Sequence, residues 1–243
     1  MSSFTIGHIE VWNGTKDGEE AYLDSSTNET NLNPKTVMNV QVHDIRTLSP
    51  EPKINENGFE FLAHPTSLRY HPDEVFMKTG VSQPAATMHI DNSHDTAIDH
   101  MTRELGEEKA QELIKSHKRW AIINVWRPVG TPVRRWPLVV VDHSKVDFTF
   151  EKNTGRVYRR HDSKYYKSHD NFLKWEDSYI LRYVSDMKPE VIMFKDYESR
   201  RDKVRGTPHG SFQDDKTAED APARNSIEVR VFAFFDDEDE RTL

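Results

Sequence analysis

The sequence predicts a mainly β protein built as a jelly roll (double-stranded β-helix) with one or a few flanking helices. Short apolar or alternating segments recur along the chain, separated by loops rich in Asn and Pro. A single segment carries a long helical periodicity, and no Gly-rich phosphate loop opens a βαβ unit. Many short strands with one main helix are typical of a sandwich or jelly roll.

The helix is predicted over residues 96–118, because apolar side chains there recur at steps of three and four while the other face is charged. The segments that the pattern indicates as strands are residues 9–12, 37–42, 121–126, 137–142, 179–183, 190–195 and 226–234. Strand-like segments thus flank the helix on both sides, as a β fold with one added helix requires.

We expect a single domain over residues 1–243, since the chain has 243 residues and no linker or repeat. Within it, residues 1–80 are interpreted as N-terminal additions, residues 81–235 as the jelly-roll core and residues 236–243 as an acidic tail. The oligomeric state is left open by the sequence.

Composition excludes several classes of function. With no cysteine the chain has neither disulfides nor thiolate metal sites. The net charge of −8 argues against a nucleic-acid partner, and no apolar run reaches the length of a membrane span. The first residues lack the pattern of a signal peptide, so we expect a cytoplasmic protein without a membrane partner.

The most informative motif is His89-Ile90-Asp91, with a lone His209 far downstream. Residues two apart on a strand share a face, so His89 and Asp91 can bind one ion. A histidine from a second strand would complete the two-histidine, one-carboxylate triad of non-heme Fe(II) oxygenases. The chain has 12 histidines, so a chance match is common and the motif needs support from elsewhere.

Such a triad leaves positions on one face of the iron for dioxygen and a bidentate 2-oxoacid such as 2-oxoglutarate. The distal carboxylate of this cosubstrate needs a fixed cation, for which the planar fork of arginine is well suited. Arg224 and Ser226 share a face of the last predicted strand. Arg230 shares it too, but six residues further along is roughly 20 Å, so Arg224 and Arg230 cannot both bind one small anion.

Other residues are candidates for the pocket. Asn124 and Trp126 share a strand face; they either belong to the core or contact the cosubstrate and wall the pocket. Arg127 ends that strand, and Phe212 could line the substrate cavity. A basic stretch over residues 195–205 is a solvated loop or a site for an anionic substrate.

The order of these motifs resembles one family of fungal and bacterial proteins, related to gibberellin desaturase, the cephem methoxylase component and the AsaB-type hydroxylase/desaturases. The likeness covers most of the chain. The segments that carry it are residues 42–46, 58–61, 89–91, 124–128, 137–138, 209–212 and 224–230.

This resemblance implies a jelly-roll oxygenase that uses Fe(II), 2-oxoglutarate and O2 to oxidise a C–H bond of a small molecule, commonly in secondary metabolism. By the same match His89, Asp91 and His209 are iron ligands, and Arg224 and Ser226 anchor the cosubstrate. The chain departs from the family where it has Asn225 in place of the usual Glu and Gly210-Ser211 in place of a frequent Thr-Ala.

Three outcomes remain open for such a reaction: hydroxylation, desaturation or oxidative ring closure. Two other classes of protein also remain open. The same three ligands would suit a cupin-like metal-dependent hydrolase or isomerase, in which the metal activates water. A non-catalytic jelly-roll binding module would have incidental histidines and no high-affinity metal site.

Overall fold

This computed structural model describes residues 4–24, 26–27, 29–62, 84–146, 148–161, 164–200 and 203–235. Its first strand begins at Phe4 and its last strand ends at Phe235. The strands are β1 (Phe4–Val11), β2 (Tyr22–Asp24), β3 (Thr36–Asp44), β4 (Phe59–Leu62), β5 (His89–Ile90), β6 (Arg119–Pro128), β7 (Leu138–Val141), β8 (Thr154–His161), β9 (Lys164–Leu173), β10 (Leu181–Tyr183), β11 (Val191–Glu198), β12 (His209–Ser211), β13 (Gln213–Asp214) and β14 (Ser226–Phe235). The helices are α1 (Ile54–Asn57), α2 (His94–Leu105), α3 (Glu107–Ser116) and α4 (Phe150–Asn153).

Two sheets face each other. A ten-stranded sheet has the order β13-β1-β3-β10-β7-β12-β5-β9-β8-β2, and a four-stranded sheet has the order β14-β6-β11-β4. Trp126, Ile192 and Phe194 of the smaller sheet pack with Leu138 and Val140 of the larger one in a shared core. This two-sheet, mainly β arrangement with few helices is the architecture that the sequence predicts.

Strand β7 shows why the larger sheet is so apolar. All four of its residues are buried. Leu138 and Val140 face the core between the sheets, whereas Val139 and Val141 face a second core with β1 and β3. A strand covered on both faces must be apolar at every position, which explains why no alternation is visible in its sequence.

The helical segment is two helices rather than the single predicted helix over residues 96–118. Ser93 caps α2 through its side chain, and Thr96 completes the capping box. Gly106 separates α2 from α3 with a φ of 81°, a backbone conformation that glycine adopts without strain. Its own N–H still closes the end of α2 on Thr102.

Strands β1, β2 and β3 of the N-terminal region belong to the larger sheet, whereas β4 belongs to the smaller one. β1 pairs with β3 along its whole length and with β13, and β3 pairs in parallel with β10. Residues 63–80 of the predicted N-terminal additions, and the predicted acidic tail over residues 236–243, lie outside the described residues. Among the helices of the described ranges, none is long and apolar enough to cross a membrane.

Candidate metal centre and cosubstrate pocket

Two adjacent strands bring the three predicted metal ligands together. β12 pairs antiparallel with β5, and the register places His209 directly opposite His89. Asp91 follows β5 immediately and lies two residues beyond His89. The ligand atoms of His89, Asp91 and His209 all lie within 4.8 Å of one another, and the two imidazole centroids are 4.4 Å apart. The triad nominated from the sequence therefore converges on one point.

Backbone carbonyls fix the orientation of both imidazoles. Nδ1 of His89 donates to the carbonyl of Thr87 at 2.7 Å, and Nδ1 of His209 donates to the carbonyl of Thr207 at 3.1 Å. A carbonyl can only accept, so Nδ1 carries the proton in each ring. This leaves Nε2 of each histidine to face the triad, which is how metal-binding histidines are commonly held.

The two oxygens of Asp91 have different surroundings. Oδ2 accepts a hydrogen bond from Nη2 of Arg230 at 2.6 Å and a second from Nδ2 of Asn124 at 3.3 Å. Oδ1 lies 3.4 Å from Nε2 of His89. Arg230 and Asn124 are opposite each other on β14 and β6, so one pair of strands holds this carboxylate from the side of the smaller sheet.

A further carboxylate lies behind this pair. Asp196 is completely buried, accepts hydrogen bonds from the backbone N and Nδ2 of Asn92 at 3.1 and 2.7 Å, and lies 3.5 Å from Nε of Arg230. Arg230 also contacts Glu228 at 3.3 Å. Asp196 thus connects the residue that follows Asp91 with the arginine that binds Asp91.

Electrostatics in the triad depend on burial and on Asp91. Burial alone would lower the pKa of His89, but the hydrogen bond to Asp91 and its charge outweigh burial and raise that pKa to about 9. Burial, together with neighbouring His89, lowers the pKa of His209 to about 4. Burial would raise the pKa of Asp91, but the two histidines and Arg230 hold it well below its ordinary value.

The site is short of fixed positive charge, because the guanidinium of Arg230 faces the carboxyl groups of Asp91, Asp196 and Glu228 and the other cation, His89, is charged only through an exchangeable proton. Burial, then the charge of Asp91, raises the pKa of both Asp196 and Glu228. A divalent cation bound at the triad would supply the missing charge. Two imidazole nitrogens and one carboxylate oxygen on one side form the donor set expected for non-heme iron.

Arg224 lies on the β12 side of the triad. Its Nη1 donates to Oγ of Ser211 at 2.7 Å and to the carbonyl of Trp136 at 2.9 Å. Ser211 is two residues beyond His209 and therefore on the same strand face. Within the described ranges Arg224 has no carboxylate partner, and its Nε and Nη2 make no hydrogen bond. A half-buried guanidinium in this state fits an incoming carboxylate.

The other predicted pocket residues do not all lie at the same place: some face the triad side of the smaller sheet and others do not. Asn124 and Trp126 are buried on the inner face of β6, and the guanidinium of Arg224 lies 5.6 Å from the Trp126 ring. Alternation puts Arg127 on the opposite face of that strand. Phe212 is buried in the second core, edge-on to Tyr183, and is not brought to the triad.

Ser226 begins β14, opposite Pro128, and Arg224 precedes that strand by two residues.

Sequence reasoning missed Asp196 and Asn92, although an aspartate inside the apolar run of β11 was a usable signal. It also left the role of Lys195 open: this residue is buried in β11 and bonded to Glu198 at 3.0 Å. Arg201 and Asp202, in the same basic stretch, lie outside the described residues.

Comparison with known proteins agrees with this geometry. Residues 68–234 match the family model described as oxidoreductase/YMDC permease-like domain. The chain is 31% identical to oxidoreductase R1 of Phoma sp., over 95% of this chain and 97% of that one. It is 31% identical to hydroxylase/desaturase asaB of Aspergillus flavus, over 82% of this chain and 81% of that one.

A solved structure of the iron and alpha-ketoglutarate-dependent endoperoxidase NvfI superimposes with a TM-score of 0.78 at 23% identity, over 96% of this chain and 98% of that one. This likeness confirms the predicted jelly-roll fold. The triad supplies the two-histidine, one-carboxylate donor set of non-heme iron oxygenases, and the relative R1, matched over nearly the whole chain, is an oxidoreductase.

The chain belongs to the family of fungal oxidoreductases that includes the AsaB-type hydroxylase/desaturases. The predicted family is thereby confirmed. Membership in an oxidoreductase family also decides among the classes left open by the sequence, in favour of the oxygenase over the hydrolase and the binding module.

Proposed function

We propose that this protein oxidises an unactivated C–H bond of a small organic substrate, with Fe(II) held by His89, Asp91 and His209 and 2-oxoglutarate anchored by Arg224. The observation that carries the proposal is the convergence of the three ligand atoms within 4.8 Å. Carbonyl bonds orient both histidines, and Arg230 holds one oxygen of Asp91, so the donor set needs little rearrangement to bind an ion.

The cosubstrate position follows from Arg224 and Ser211. The guanidinium is tethered at Nη1, which leaves the Nε–Nη2 edge to pair with both oxygens of a distal carboxylate. Ser211 lies two residues, or about 7 Å, beyond His209 along β12. This separation suits a five-carbon diacid that spans from the metal to the arginine. Ser226, two residues after Arg224, is a second hydroxyl for the same carboxylate.

Bound Fe(II), 2-oxoglutarate and O2 would supply the oxidising power for C–H cleavage. The chain would bind and orient these groups and would line the pocket with apolar side chains that exclude water. Trp126 and Phe194, both almost completely buried, line the pocket side of the smaller sheet, and the ring of Phe194 lies 4.5 Å from that of His209. Exclusion of water by such side chains protects a reactive centre and strengthens the charge interactions within it.

The test is an anaerobic titration of Fe(II) and 2-oxoglutarate into the protein, monitored by the visible metal-to-ligand charge-transfer band. We expect the band in the wild type, none in His209→Ala, and a band that needs about tenfold or more 2-oxoglutarate in Arg224→Ala. Absence of the band from metal-loaded wild type would overturn the proposal.

Two matched controls separate the site from general damage. His143 is a histidine with a buried Nε2 that lies edge-on to Phe148 and is not part of the triad, so His143→Ala is expected to keep the band. Arg135 donates to the carbonyl of Glu219, much as Arg224 donates to that of Trp136, but has no link to Ser211. Arg135→Ala should therefore leave the 2-oxoglutarate requirement unchanged.

A further inference from the structure

Lys35 carries an ammonium group that the proposed reaction does not use. It precedes β3, and its Nζ lies 3.3 Å from the ring centroid of Phe172 and 5.8 Å from that of Trp12. The Nζ atom is buried and, among the residues that the structure describes, has no hydrogen-bond partner. A buried donor in this state indicates a partner that the described residues do not supply.

The nearest carboxylates do not satisfy this ammonium. Glu10 and Asp170 both act on Lys35 through their charge, but each is bonded elsewhere. Oε2 of Glu10 accepts from the hydroxyl of Thr87 at 3.1 Å, and Oδ1 of Asp170 accepts from Arg159 at 2.9 Å. Burial lowers the pKa of Lys35 to about 8, so the group is still mostly cationic at neutral pH.

Strand register places this group on the metal-facing side of the larger sheet. Phe172 of β9 lies directly opposite His89 of β5, and Gly155 of β8 lies opposite Phe172. Paired residues share a face, so the Phe172 ring is the immediate neighbour of a metal ligand. Trp12 stacks on Gly155 so closely that a Cβ there would meet its ring at 2.5 Å.

Two aromatic rings and an ammonium therefore form one wall beside the triad. The ring faces compensate part of the cost of burying the charge, as in other cation–π pairs. They do not replace the hydrogen bonds that an ammonium makes in water, and this deficit is large for a buried charge. An anionic oxygen is the group that would remove it.

We propose that Lys35 anchors an acidic oxygen of the substrate, and hence that the substrates are small organic acids whose apolar body lies on Trp12 and Phe172. The proposal rests on the proposed function, because it identifies the substrate side of that site. The ligand is not the cosubstrate: β12, which carries Ser211 beside Arg224, flanks β5 on one side, whereas β9 flanks it on the other.

The first test needs no ligand. Lys35→Met keeps the bulk of the side chain and removes the unpaired ammonium, so the variant should unfold at the same or a higher temperature than wild type. If Lys35 instead stabilises the fold by packing on the two rings, Lys35→Met should unfold at a lower temperature than wild type. A clear fall in the unfolding temperature of Lys35→Met would overturn the proposal.

The second test uses benzoate and acetate as probes, each against its neutral amide, by calorimetric titration of the anaerobic Fe(II)–2-oxoglutarate protein. We expect the wild type to bind the acids about tenfold more tightly than the amides. Lys35→Met should lose this preference and Lys35→Arg should keep it, while Lys109→Met on the exposed face of α3 should bind as the wild type does.

A wild type without preference for the acids, or a preference that survives in Lys35→Met, would overturn the assignment of Lys35. So would a Lys35→Met variant that needs tenfold more 2-oxoglutarate to form the charge-transfer band, since Lys35 would then bind the cosubstrate. Loss of the band from the wild type itself marks a failure of the proposed function rather than of this inference.

Discussion

Two charge networks share strand β11 and differ in how they are balanced. The Arg119 network consists of Arg119, Glu198 and Lys195. Arg119 donates to both carboxylate oxygens of Glu198. Its two hydrogen bonds to Oε2 are 3.0 and 2.7 Å long, and Lys195 donates to the same oxygen at 3.0 Å. Glu198 and Lys195 are almost completely buried. This network is closed, because its single carboxylate is saturated by cations.

The triad network consists of Arg230, Asp91, Asp196 and Glu228 around the two histidines. Here one fixed cation, the guanidinium, faces three carboxyl groups, and the further positive charge is a proton held on His89. Both networks draw on β11, where a register shift between Lys195 and Tyr197 brings Asp196 out of the regular alternation. The comparison indicates that a closed network stabilises the fold, whereas a network left short of fixed positive charge is prepared for a cation.

The largest expected effect is the loss of metal binding in Asp91→Ala. This change removes one of three donors and leaves Arg230 beside Asp196 and Glu228, so the fold should persist while Fe(II) affinity disappears. Anaerobic Fe(II) titration checks the loss of metal affinity, and the unfolding temperature measured in parallel checks that the fold persists. Tight Fe(II) binding by a folded Asp91→Ala protein would contradict the assignment of the triad network.

The opposite outcome is expected for Glu198→Ala. Removal of this carboxylate leaves Lys195 and Arg119 without their counter-charge, and breaking a buried pair typically lowers the free energy of unfolding by about 3–5 kcal/mol. Denaturant unfolding measures this loss. Glu112→Ala, which breaks an exposed pair with Lys109, should cost only about 0–1 kcal/mol. An equally small loss in Glu198→Ala would remove the distinction between the two networks.

A smaller effect is expected for Asp196→Asn, which keeps the shape of the side chain but weakens its hold on Arg230 and Asn92. Loss of such an outer partner commonly lowers metal affinity by about 10–100-fold. Asp142→Asn is the matched control, since Asp142 is equally buried and binds Asn57, Ser144 and Arg182 away from the triad. Equal metal affinities in both variants would show that Asp196 does not position the triad.

The smallest effect, for a change of one pH unit, is the effect of pH on metal affinity. The folded, metal-free protein holds a proton on His89, whose pKa is about 9, and a metal ion must displace it. Affinity should therefore rise by about tenfold per pH unit below that value and level off above it, with about one proton released per ion. Calorimetry in buffers of different ionisation enthalpy counts the protons. A pH-independent affinity would contradict the protonated state of His89.

Much of the candidate site could be predicted from the sequence because it depends on strand periodicity. His89 and Asp91 share a face by their spacing alone, and so do Asn124 and Trp126 on β6. The break at Gly106 was predictable in principle, since glycine is a poor residue in a helix interior. The predicted single helix was wrong there because the apolar periodicity continues across the glycine.

Asp196 and Lys35 could not be found in this way. Asp196 acts on Asn92, which is 104 residues away in the chain, and no local pattern records that contact. Lys35 precedes an ordinary strand, and only the pairing of β9 with β5 places its ammonium beside a metal ligand. The local sequence marks Asp196 as an unusual aspartate in an apolar strand, but it does not reveal which distant residue either side chain contacts.

The sequence by itself determined the mainly β class, the three side chains proposed as metal ligands and the family. These follow from composition, from period-two alternation and from the order of motifs along the chain. The tertiary structure decided the register that sets His209 opposite His89, the charge imbalance around Arg230 and the wall formed by Lys35 with its two rings. The physical reason is that alternation is fixed by neighbouring residues, whereas register and charge balance arise only when strands far apart in the chain pair and exclude water.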